Sequence, residues 1–129
     1  MSKVVLLNVD LVNADVVVCY GMKKYKKILK KQLNTKEYDY TADEVDIKKA
    51  DNAAGLCITL EPKSGGSVSI IGIGKGMSVE RTERTIVHEL SHCVSDIMEV
   101  YGLDCDETRS YILDRLYGDV MNWYRSEVL

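Results

Sequence analysis

Hydrophobic positions along the chain fall into two kinds of run, and their spacing predicts the elements. Val4 to Val9 is short, apolar and β-rich and reads as a strand, with Leu11-Val12-Asn13 as a turn. Asp15 to Tyr20 is a second strand bounded by Gly21, and its near-continuous apolarity predicts burial on both faces. The period then switches. Met22, Tyr25, Ile28, Leu29 and Leu33 form one stripe of a helix over 22–33, and Lys23, Lys24, Lys26, Lys27, Lys30 and Lys31 fill the remainder. Asn34 to Asp51 is polar and irregular, with a short helix expected near Ala42–Lys49. Ala53 to Glu61 reads as a strand, Pro62 to Gly66 as a turn, and Ser67 to Ile73 as the hairpin partner. Gly72, Gly74 and Gly76 follow without a G-K-[ST], so they read as a flexible loop beside a site rather than a phosphate loop.

Ser78 is the expected N-cap of a helix running from Glu80 to about Tyr101. Its apolar side is Ile86, Val87, Leu90, Val94, Ile97 and Met98, and Gly102 stops it. Asp104 or Cys105 starts a last helix whose core stripe is Ile112, Leu113, Leu116, Val120, Met121 and Tyr124. The expectation is one α+β domain over residues 1–129, a small mixed β-sheet packed on helices, with the penultimate long helix beneath the sheet.

At 129 residues and 46% hydrophobic content the chain can bury a real core. No apolar run approaches a membrane span, and no apolar stretch with a small-residue cleavage site follows Met1-Ser2-Lys3. A cytoplasmic location is therefore expected. Cys19, Cys57, Cys93 and Cys105 form no C-x-x-C pair and read as free thiols, mostly buried. Charge is unevenly spread. Residues 1–75 hold twelve Lys and Arg against nine Asp and Glu, whereas residues 76–129 hold five against eleven. The acidic second half suits a cation and argues against nucleic acid lying over it. The lysine-rich face of the first helix reads as a solvated exterior, since neither Arg nor exposed aromatics interleave it.

That acidic half contains His88-Glu89-Leu90-Ser91-His92, which holds the only two histidines of the chain. On a helix, residues four apart lie roughly 40° apart around the axis. Two imidazoles so stacked can bind one metal ion, and Glu89 can then act as general base on an activated water. Catalytic zinc wants three protein ligands, and no third His exists. The third must be an acid or a thiol, from Asp104 to Tyr111 or at Asp114. Glu107 is one of these acids. A tight hairpin after the motif helix favours Asp114, and Asp106 and Cys105 remain open.

The H-E-x-x-H followed by Asp106-Glu107-Thr108-Arg109-Ser110-Tyr111 resembles the zincin superfamily, its Glu-ligand branch in particular. More narrowly, it resembles small bacteriophage-encoded H-E-x-x-H proteins. The resemblance is firmest over residues 84–117. It implies a zinc-dependent hydrolase, most simply a peptidase, with Zn2+ held by His88, His92 and Glu107. Glu89 would be the base, and Tyr111 an oxyanion or substrate donor. Tyr111 stands where the Glu-ligand peptidases commonly carry an Asp that orients a metal-bound His. The partner implied is a peptide or a host protein, with no membrane and no nucleic acid. The alternative is a non-enzymatic zincin-like phage protein that binds a host factor, possibly of defence, with structural metal.

Overall fold

The computed structural model describes residues 3–35, 37–38 and 47–129. Four strands form one mixed sheet: β1 (Val4–Val9), β2 (Ala14–Tyr20), β3 (Gly55–Leu60) and β4 (Ser67–Ile73), in the order β1-β2-β4-β3. β1 pairs antiparallel with β2, and β3 antiparallel with β4, each through a short turn. β2 and β4 are parallel, with Ala14 opposite Ser67 and Tyr20 opposite Ile73. The two central strands are the most buried ones, and β2 is covered on both faces as its composition predicts.

One face carries α1 (Met22–Leu33) and a 3₁₀ helix (Ile47–Asn52). Tyr25, Leu29 and Leu33 of α1 pack there with Cys19, Leu60 and Ile70. Gly72 makes this contact possible, since a Cβ on it would stand 2.7 Å from the ring of Tyr25. The short helix expected over Ala42–Lys49 falls largely outside the described residues; the 3₁₀ turn is the part of that region the structure places.

The other face carries α2 (Val79–Val100) and α3 (Asp106–Trp123), the latter ending in a π-helical turn at Tyr124–Val128. Val16, Val18, Ile71 and Ile73 meet Ile86, Leu90, Val94 and Ile97 of α2 and Ile112, Leu116 and Val120 of α3 in the larger core. This is the α+β arrangement expected, with the motif helix beneath the sheet. Ser78 caps α2, its hydroxyl accepting from the Arg81 amide at 3.2 Å. At the other end Gly102 takes φ +64°, the Leu103 amide reaches Met98 O at 2.8 Å and the Gly102 amide reaches Glu99 O at 3.1 Å. That paired closure turns the chain sharply and sends α3 back antiparallel. Arg109 Nη2 donates to Ser95 Oγ at 2.7 Å near the tip, and Arg125 Nε to Glu83 Oε2 at 3.2 Å near the far end. These two bonds mark the register of the helix pair, whose buried faces meet in the larger core. Among the described residues no helix is long and apolar enough to cross a membrane.

Candidate metal centre

His88 and His92 stand one turn apart on the exposed side of α2. The α2 residues that pack inward are Ile86, Leu90, Cys93, Val94 and Ile97, so the imidazoles are left facing solvent. Their rings meet edge to face with centroids 4.7 Å apart. The two Nε2 atoms converge to 3.2 Å. Two imidazole nitrogens each about 2.05 Å from one tetrahedral zinc stand about 3.3 Å apart. The pair therefore fits two positions of such an ion, each ring using the same nitrogen.

Glu89 points elsewhere. Its side chain is only 6% exposed and packs on the start of β3. A Cβ added to Gly55 would lie 2.9 Å from Glu89 Cγ, 3.0 Å from Oε2 and 2.6 Å from Thr85 Cγ2. Glycine at position 55 thus makes the space into which the acid folds, and neither Gly55 nor Thr85 stands out in the sequence. Burial pushes the Glu89 carboxyl above the usual carboxylate range, and the neighbouring His88 and His92 pull it part of the way back. A base held in this balance takes up a proton more readily than an exposed carboxylate. An open groove of about 520 Å³ runs past it, lined by Ala54, Gly55, Arg81, Arg84 and Thr85 together with His88 and Glu89.

The neighbouring side chains along β3 are committed to structure. Asp96, one turn beyond His92, accepts from Thr59 Oγ1 at 3.2 Å, and Thr59 and Ser69 share a 2.8 Å bond. Cys57 of β3 hydrogen-bonds to Cys93 of α2, and this bond, with burial, keeps the Cys57 thiol protonated well above its ordinary range.

The remaining expected site residues lie apart from the pair. Glu107 is exposed in the first turn of α3, one residue from the hairpin loop. The Arg109–Ser95 register sets the first turn of α3 opposite the end of α2, beyond His92. Asp114 is nearer the level of His92 in this antiparallel pair, and it too is exposed. Tyr111 lines a cleft on the other flank with Asn8, Val9 and Asp10 at the end of β1, and accepts from Arg115 Nη1 at 3.5 Å. Since β1 and β3 are opposite edges of the sheet, Tyr111 and the His pair belong to opposite sides. Among the described residues no three His, Cys, Asp or Glu side chains converge as a ligand set.

Cys105 and Asp106 flank the α3 N-terminus, fully at the surface. Amide and hydroxyl groups of Thr108, with the Glu107 amide, lower the Cys105 thiol, whereas burial pushes Cys19 up to about 12. Alkylation of the native protein with iodoacetamide at pH 8 should therefore modify Cys105 first and leave Cys19 and Cys57 unmodified until the chain unfolds. Peptide mapping by mass spectrometry reads the order, and early labelling of Cys19 would contradict this packing. Compared with protein families, with curated proteins and with solved structures, the chain matches none.

Proposed function

We propose that the chain is a zinc-dependent hydrolase, most simply a peptidase, with His88 and His92 as metal ligands and Glu89 as general base. The observation that carries this reading is the 3.2 Å convergence of the two Nε2 atoms on an exposed helix face, with a buried acid one residue away. Zinc bound there would supply a lowered pKa for water and polarisation of a scissile carbonyl. The protein residues do the rest. His88 and His92 hold their rings edge to face on a helix anchored by its opposite side, so little ordering remains to be done on binding. Glu89, shielded by the start of β3, takes the proton and returns it to the leaving group. Arg81 and Arg84 offer the groove a positive rim for an acidic group of the substrate.

Glu107 remains the third donor in this proposal, on its order along the chain and its Asp-Glu-x-x-x-Tyr setting. It stands one turn from Tyr111 and apart from the pair, so ligation would require the first turn of α3 to leave the position that the Arg109–Ser95 bond holds. The separation of Glu107 from the pair favours a second reading, a zincin-like protein that binds a host protein and uses the His pair without chemistry.

The purified protein should carry close to one zinc per chain, removed by chelator and restored by added zinc. His88→Ala and His92→Ala should each reduce the content to background, measured by atomic emission. Both side chains are exposed, so circular dichroism should show an intact fold. Full zinc retention by the double variant would overturn the assignment. Glu107→Ala and Asp114→Ala, assayed in parallel, identify the third donor by which one lowers zinc affinity.

A further inference from the structure

The parallel pair β2–β4 opens a cavity away from the His pair. β2 leads into α1 on one face of the sheet, and β4 leads through the Gly74–Gly76 loop to α2 on the opposite face. Outside the carboxyl ends of these two strands the chain parts to either side. In open sheets with parallel strands, that parting opens a crevice where ligands bind. Here the crevice is a cavity of about 690 Å³, lined by Tyr20 at the end of β2, Gly21 and the first turns of α1, and Gly74 and Lys75 after β4. Its volume lies within the ordinary range of small-molecule sites.

Its lining is strongly basic. Lys3, Lys23, Lys24, Lys27 and Lys75 contribute five cations from three separate parts of the chain. The one acid in the wall, Asp51, is ion-paired with Lys26. Among the described residues none of the five lining lysines forms an ion pair with a carboxylate. Lys3 Nζ and Lys75 Nζ lie 5.3 and 5.7 Å from the centroid of the Tyr20 ring. The aromatic face thus gathers cations from two separate segments at one end of the sheet, the stretch before β1 and the loop after β4. Gly21, at φ +106°, lets the Lys75 stem lie against the backbone, where a Cβ would stand 2.8 Å from Lys75 Cε. The gathered ammonium groups repel one another, and an anion of matching charge offsets that repulsion.

We propose that this cavity binds a compact polyphosphate, either free or carried by a nucleoside. The concave shape and the clustering of charge at one point suit a compact, multiply charged anion. A nucleic-acid strand would require a charged track with interleaved aromatics, and α1 presents lysines alone beyond the cavity. This site is independent of the His pair, and its failure would leave the metal reading untouched.

The test is calorimetric titration of the whole protein with inorganic triphosphate, ATP and AMP. It is repeated on the His88→Ala/His92→Ala variant so that chelation at the His pair does not enter. Inorganic triphosphate and ATP should each bind once per chain, and AMP much more weakly. Lys24→Ala/Lys75→Ala should weaken binding by about tenfold or more. Lys30→Ala/Lys31→Ala, which removes the same charge from the far end of α1, should change it less than about threefold. ATP binding tighter than inorganic triphosphate would add recognition of the nucleoside. No binding at millimolar concentration overturns the proposal. So does an equal loss in both lysine variants, which marks diffuse attraction. Preferential binding of single-stranded DNA with a steep dependence on salt would replace the small ligand by nucleic acid.

Discussion

Glu89→Gln should leave zinc bound and lower hydrolysis by roughly 10²–10⁴-fold, the usual contribution of a positioned general base. The amide has the shape of the acid and fits the same space above Gly55, but it cannot accept the proton. Cleavage of fluorescently labelled casein by zinc-loaded protein, suppressed by chelator, is the assay. Wild-type protein that binds zinc yet cleaves nothing would favour the non-enzymatic reading. A Glu89→Gln variant as active as wild type would remove Glu89 from the chemistry while leaving the metal site in place. Metal content of the variant separates these outcomes, because Glu89 points at β3 and not between the imidazoles.

Leu90→Ala should cost about 2–5 kcal/mol of stability. Leu90 is fully buried in the larger core, immediately after Glu89 in the motif itself. Truncation removes an isopropyl group, one methine and two methyls, from a packed layer between sheet and helices, and the cavity left behind adds to the transfer cost. Thermal unfolding should shift by roughly 3–5 °C per kcal/mol for a domain of this size. A shift under 3 °C would mean that α2 does not pack as described. The motif is thus read twice by the fold: His88 and His92 from outside, Glu89 and Leu90 from within.

The period of apolar residues made most elements legible. The α1 stripe of Tyr25, Leu29 and Leu33 is buried, Ser78 caps α2, and the near-continuous run of β2 is a central strand. Strand ends moved by one or two residues, as at β3, which begins at Gly55 rather than Ala53. The hairpin of β3 with β4 was legible from its turn, but the parallel pairing of β2 with β4 was not, since period alone says nothing about which distant strand lies beside which. The same limit hid the basic cavity. The lysines of α1 look like solvated exterior along the sequence, and only parallel pairing of β2 with β4 brings Lys75 to Lys3 and Tyr20. The His pair was legible because its spacing is local to one helix. The direction of Glu89 depends on a glycine in another element, and the position of Glu107 on a hairpin register set by Arg109 and Ser95. Neither belongs to a local pattern.

The parallel ladder between β2 and β4 also sets the order in which the chain can fold. β1 with β2, and β3 with β4, are neighbours in sequence joined by short turns, and each hairpin closes with little loss of chain entropy. Joining them closes a loop of about 50 residues before any contact across the seam is gained. That seam is the slow step expected of a topology with distant pairings. During synthesis the N-terminal hairpin and α1 must wait, one face bare, until β4 has emerged. The buried inner strand of each hairpin is until then an open edge, able to pair with the same strand of another nascent chain.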